Sequence, residues 1–132
     1  MLNNLREGQW ICKNSVGNTT IEAAYAAGRK HGLVRLWRAD GSLDSESHWQ
    51  NGKLDGRLTN YFPNGNKFLE TTYKQQKPDG AMTEWFENGN KKSELSYSEG
   101  TLNGWVREWT ENGVLNSEEK YQNGQPVANE PK

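Results

Sequence analysis

All fourteen glycines of this 132-residue chain fall into three columns spaced 24 residues apart. The first column is Gly8, Gly32, Gly56, Gly80 and Gly104. The second is Gly17, Gly41, Gly65, Gly89 and Gly113, and the third is Gly28, Gly52, Gly100 and Gly124, with Gln76 as the one substitution. A strict period that runs without insertion from Gly8 to Tyr121 is the signature of a repeat architecture, in which one supersecondary unit stacks on copies of itself. The chain is thereby confined to about five copies of a single short unit.

Other residue types keep the same beat. Tyr25, Trp49, Tyr73, Tyr97 and Tyr121 form one aromatic column. Trp37, Tyr61, Trp85 and Trp109 form a second, with Lys13 standing where its first member would be. Trp10, Val34, Leu58, Met82 and Val106 make an apolar column, and Glu22, Glu46, Glu70, Glu94 and Glu118 an acidic one. Five copies of one environment are implied.

A hydrophobic fraction of 32% and a mean hydropathy of -1.08 would ordinarily mean too little apolar surface to offset chain entropy. The periodic glycines and aromatics argue for order, and the composition then excludes a thick two-layer core. A thin array is expected, each unit supported by its neighbours. The formal net charge of -1 provides no bulk attraction to nucleic acid or anionic lipid, so neither is an expected partner. A single cysteine, Cys12, rules out an internal disulfide and fits a reducing compartment. The opening Met1 to Gly8 has no apolar run of signal-peptide length, and no stretch approaches a membrane span. Cytoplasmic location is the resulting expectation.

The cleanest copy runs from Gly52 to Tyr73 and contains Pro63-Asn64-Gly65. Glu87-Asn88-Gly89, Glu111-Asn112-Gly113 and Ala39-Asp40-Gly41 repeat the signal. Asn-Gly or Asp-Gly between two strand-like runs is the strongest short-range mark of a β-hairpin, the glycine supplying positive φ. Each copy reads as strand, tight turn, strand, then a second turn such as Asn51-Gly52 into the next copy. The predicted fold is all-β: a single-layer antiparallel meander of about ten strands in five hairpin repeats, forming a twisted ribbon about 50 Å long. The units are about 1–25, 26–49, 50–73, 74–97 and 98–121 within a repeat domain of 1–125. The repeat is expected to stop at Pro126 and Ala128, leaving 126–132 as a tail. Within the first strand, Leu58 and Tyr61 are three residues apart and fall on opposite faces unless a bulge intervenes.

The pattern Gly-x3-Gly-x-apolar-x2-aromatic-x3-Gly-x4-Glu-x2-Tyr resembles the variant MORN repeat of bacterial antitoxin-like proteins of the YwqK family. The likeness covers Gly8 to Gly124, with departures at Lys13, Gln76 and Ala128. It implies a β-hairpin ribbon and, as the family's usual assignment, an immunity protein that neutralises a toxin encoded nearby. The alternative is a scaffold or membrane-associated interaction module of the same repeat type. The lack of a polybasic run counts against direct lipid binding.

Chemistry is sparse. His31 and His48 are the only histidines and, with one cysteine, cannot build a standard zinc site. A Cys12/His31 nucleophilic pair has no third group at a supporting spacing, and the recurring Gly-x3-Gly lacks the strand-to-helix setting of a phosphate loop. No catalytic residue, cofactor or metal is expected. Binding residues are sought instead. Glu46, Glu70, Glu94 and Glu118 could form an acidic groove for a basic partner, or could serve each unit structurally. Carboxylates about 10 Å apart in water repel by only about 0.4 kcal/mol. Residues that break the pattern are further candidates: Leu33 and Trp105, where other copies have Arg57 and Ala81; Phe62 and Phe86, where others have Arg38 and Thr110; and Arg35 with Arg107 in one column. Exposed Trp, Phe and Arg are typical interface anchors.

Overall fold

A computed structural model describes residues 6–127. Strands β1 (Gly8–Lys13), β2 (Thr19–Ala26), β3 (Arg29–Trp37), β4 (Leu43–Gln50), β5 (Lys53–Tyr61), β6 (Lys67–Lys74), β7 (Lys77–Trp85), β8 (Lys91–Ser98), β9 (Thr101–Leu102), β10 (Gly104–Trp109), β11 (Leu115–Gln122) and β12 (Gln125–Pro126) form one antiparallel sheet. They pair in chain order, except that β8 pairs with both β9 and β10. The all-β meander is as the repeat predicts.

Twelve strands replace the expected ten for two local reasons. In the fifth unit the first strand breaks at Asn103, whose N–H donates to the Ser96 carbonyl at 2.8 Å, separating β9 from β10. At the end, Gln125 and Pro126 open a further strand opposite Gln122 and Tyr121, and the Val127 N–H donates to the Lys120 carbonyl at 2.8 Å. Ala128 and the remainder of the expected tail lie outside the described residues.

Two kinds of turn alternate along the two long edges. At Phe62 to Asn66 the Gly65 N–H donates to the Phe62 carbonyl at 2.9 Å and the Phe62 N–H to the Asn66 carbonyl at 2.8 Å. Only the glycine has positive φ, 91°, which makes this a type I turn closed by a glycine bulge. Pro63 presets the first central position, and Asn64 Oδ1 accepts from the Asn66 N–H at 2.9 Å. On the opposite edge both turn residues have positive φ, 51° and 82° at Asn51-Gly52, the type I′ geometry whose twist matches the strands. Gln75-Gln76 adopts the same geometry at 52° and 69°, although Gln76 carries a Cβ.

Both edges are also stitched from repeat to repeat. The Gly52 N–H donates to the Lys30 carbonyl at 2.9 Å, and Gly28, Gln76, Gly100 and Gly124 repeat the bond to Arg6, Leu54, Pro78 and Leu102. On the other edge the side-chain amides of Asn64 and Asn66 donate to the Glu87 carbonyl at 3.1 and 3.0 Å. Asn88 and Asn90 do the same to Glu111, and the Arg38 guanidinium donates to the Tyr61 carbonyl. An isolated hairpin is marginal in water. These bonds satisfy backbone groups that a lone unit would leave open and couple each unit to its neighbour.

Within each hairpin the bulge falls on the second strand. Asn60 pairs with Leu69 but Tyr61 with Lys67, leaving Phe68 as the extra residue. The first strand stays regular, so Leu58 and Tyr61 do face opposite ways. One face, the ladder face, carries the glutamate column and Trp37, Tyr61, Trp85 and Trp109. The other carries Tyr25, Trp49, Tyr73, Tyr97 and Tyr121 with the apolar column. The buried side chains are small: Ala23, Val34, Ser47, Thr59, Thr71 and Ser93. The sheet is therefore one layer thick.

Between hairpins a second irregularity explains the first glycine column. Ser47 pairs with Leu58 and Trp49 with Leu54, so Asp55, Gly56 and Arg57 bulge past His48. Gly56 has φ of 117°, and a Cβ there would stand 3.0 Å from the His48 Cβ. Glycine is required by conformation and by contact together.

Candidate partner-binding face

Register places eight of the ten candidate residues on the ladder face. Arg35 lies opposite Glu46, with Leu33 opposite His48. Thr59 lies opposite Glu70, Thr83 opposite Glu94, and Arg107 opposite Glu118 with Trp105 opposite Lys120. Phe62 and Phe86 do not join them. They open the glycine-bulge turns, where Phe62 meets Phe68 edge to face at 5.0 Å between centroids and Phe86 lies 5.8 Å beneath the Lys92 ammonium.

The glutamate column is paired from within. Arg35 Nε donates to Glu46 at 2.9 Å and its Nη1 to Glu22 at 3.4 Å, so one guanidinium joins two repeats. Lys67 lies 2.9 Å from Glu70, Lys91 3.2 Å from Glu94, and Arg107 2.8 Å from Glu118. The source of the cation alternates by rule. Where the first strand supplies Arg35 or Arg107, the second begins with Leu43 or Leu115. Where it supplies Thr59 or Thr83, the second begins with Lys67 or Lys91. Each Glu thus has a cation from its own repeat or its neighbour, and the column serves the sheet as an ion-pair ladder.

Replacing Arg by Thr leaves a shallow hollow. About 280 Å³ opens at the middle of the ladder face, lined by Leu33, Arg35, Glu46, His48, Arg57, Thr59, Tyr61, Lys67 and Glu70. The Tyr61 hydroxyl donates to Glu46 at 2.7 Å. Burial, with the Glu46 hydrogen bond behind it, pushes the Tyr61 phenol up to about 12. The hydrogen bond from Arg35, followed by that from Tyr61, holds Glu46 below the usual carboxylate range. The same Glu46 bond raises Arg35 above its ordinary value. Glu46 and Arg35 thus form an ion pair, to which Tyr61 stays a neutral hydrogen-bond donor.

Towards the C-terminal end, Trp105 is 41% exposed. The Arg107 guanidinium lies 5.1 Å and the Lys120 ammonium 5.7 Å from its ring centroid, so two cations hold the indole upright. Sequence reading singled out Trp105 and Arg107 but passed over Arg57, Tyr61, Lys67, His48 and Lys120. The Arg/Leu versus Thr/Lys alternation was the available signal for Lys67.

The conceivable nucleophilic pair is not assembled. Cys12 pairs with Ile21, which pairs with Leu36, and His31 lies five residues further along that strand, about 17 Å away. His31 Nδ1 instead accepts from the Asn51 N–H at 3.4 Å. Among the described residues no group of three or more His, Cys, Asp or Glu could hold a metal ion, and no helix is long and apolar enough to cross a membrane.

A family model of the MORN repeat variant matches residues 54–75, 78–99 and 102–123, together half of the chain. Each window spans one hairpin, and the same register recurs in residues 8–50 outside them. No curated protein matches the chain.

Proposed function

Because the chain belongs to the MORN repeat variant family, whose members are generally non-enzymatic interaction modules, we propose that it is a cytoplasmic bacterial antitoxin, or immunity protein, that binds a cognate toxin encoded nearby. The ladder face makes the contact. The observation that carries this reading is a face on which Trp105 and Arg57 stand exposed beside a ladder whose glutamates are already paired. Exposed Trp and Arg on a rigid surface are the usual anchors of a protein interface.

Neutralisation is by steric masking. A face of five repeats can supply half of an interface of roughly 1,600 Å², and a sheet stitched at both edges covers a toxin's active surface with little ordering cost on binding. The toxin identification itself comes from the likeness to antitoxin-like repeat proteins. Co-expression with the product of the adjacent reading frame tests it. The expected result is growth arrest by the neighbour alone, rescue by this chain, and co-purification of the two. A neighbour that is harmless, or toxic but neither bound nor rescued, overturns the proposal.

A further inference from the structure

Charge on the ladder face divides into two parts. The glutamates are paired by Arg35, Lys67, Lys91 and Arg107. Nearer the edge of two-residue turns lies a second row, Arg57, Thr72, Ala81, Ser96, Trp105 and Lys120, joined by the register of β5 with β6, β7 with β8, and β10 with β11. Among the described residues, neither Arg57 nor Lys120 has a carboxylate within ion-pairing distance.

We infer that this row docks an acidic segment of the partner protein, with one carboxylate held at Arg57 and a second at Lys120 beside Trp105. The inference rests on the reading of the ladder face as protein-binding, and it reverses the sign of the partner that an acidic groove would have required. Three observations carry it. First, the glutamate column that could attract a basic partner is already occupied by cations of the sheet itself. Second, Arg57 stands between two hollows, the one at Thr59 and another bounded by His48, Asp55, Gly56 and Thr72. An acidic side chain can approach its guanidinium from the Thr59 hollow, since Asp55 lines the other. Third, the residues between Arg57 and Trp105 are small, so a segment can lie across the strands there without meeting a ridge.

Spacing sets the segment's length. From β5, which carries Arg57, to β11, which carries Lys120, there are five inter-strand steps, about 24 Å at the usual strand separation, which about seven residues of extended chain would span. Two isolated cations, one of them beside an indole, suit a short acidic peptide stretch better than a phosphate backbone, which is bound by many cations in line, or a lipid surface, which needs a polybasic cluster.

The test uses the full chain and the peptide Asp-Glu-Ser-Gly-Ser-Glu-Asp, acetylated and amidated, against its Asn/Gln counterpart. Binding is followed by backbone amide and indole N–H chemical shifts. Saturable shifts confined to the row are expected with the acidic peptide alone, weakened about tenfold or more by Arg57→Gln and by Trp105→Ala and weakened by salt. Circular dichroism confirms that both variants fold, since both side chains are exposed. Equal shifts from the two peptides, no shifts, or binding indifferent to both variants overturns the inference. So does binding of anionic vesicles or RNA through these residues without the acidic peptide. Toxin rescue that survives both substitutions would sink this inference and the placing of the toxin contact at Arg57 and Trp105, and leave the antitoxin reading itself standing. Peptide binding as expected with no toxin partner would sink the antitoxin reading alone.

Discussion

The Lys67 ammonium lies 2.9 Å from the Glu70 carboxylate, supplying from the second strand of its hairpin the charge that Arg35 supplies from the first strand one repeat earlier. The two arrangements are alternative solutions to one problem, a carboxylate placed at the same register in every unit. They should be exchangeable. Lys67→Leu alone is expected to lose about 0.5 kcal/mol, the range of a half-exposed pair. Adding Thr59→Arg, which rebuilds the Arg35/Leu43 arrangement, should recover the loss. A urea double-mutant cycle measures the coupling; two simply additive losses would mean that the ladder is not modular.

Thr71 is 1% exposed, and its hydroxyl has no hydrogen-bond partner. The equivalent positions are Ala23, Ser47, Leu95 and Glu119, so nothing in the repeat requires a hydroxyl there. Thr71→Val keeps the β-branched shape and removes an unsatisfied group, and should stabilise the protein by about 1 kcal/mol. A lower midpoint in urea would show that the hydroxyl is satisfied in solution.

Gln76 stands at φ of 69°, where the other repeats have glycine. A Cβ in that region costs about 1 to 2 kcal/mol, partly offset by the greater flexibility of glycine in the unfolded chain. Gln76→Gly is expected to raise stability by roughly 0.5 to 1 kcal/mol, and Gly52→Gln to lower it by a similar amount. Thermal unfolding of the two variants would contradict the account if both moved the same way.

The Glu46 network predicts pH limits at both ends. Its carboxyl is held below the ordinary value of 4.5, so its contribution is present above that value and is lost as pH falls through the lower folded value. The Tyr61 phenol is raised from 10.0 to about 12. Its contribution is present below pH 10 and is lost as pH rises through about 12. In alkaline titration, Tyr61→Phe should abolish this late phenolate step. In acid, Arg35→Gln should move the Glu46 titration upward. An unchanged carboxylate titration in Arg35→Gln would remove Arg35 as its main cause.

Much of the fold was legible because a 24-residue period leaves few ways to fold. The glycine columns mark two turns and a bulge, and Asn64-Gly65 and Asn51-Gly52 both mark hairpins. What pattern could not distinguish was the kind of turn, since Asn-Gly serves a glycine-bulge turn at 64–65 and a type I′ turn at 51–52. The difference lies in the residues around them, such as Pro63, and in cross-repeat bonds that exist only after assembly. The break at Asn103 was likewise invisible. The candidate site was half legible. Leu33, Arg35, Trp105 and Arg107 stood out as departures from the columns and do share a face. The role of the glutamates depended on which cations reach them across strands, and Arg57 acquired interest only when the glutamates proved to be paired by other cations.

On the proposed reading, the ladder face covers a toxin through Arg57 and Trp105. Growth rescue by an array of surface variants tests it most directly, with each variant co-expressed at equal level beside the toxic neighbour. Arg57→Gln and Trp105→Ala should each reduce rescue and together abolish it, while Leu36→Ser on the opposite face should rescue as well as the parent. Full rescue by the double variant, or loss of rescue confined to Leu36→Ser, would contradict it.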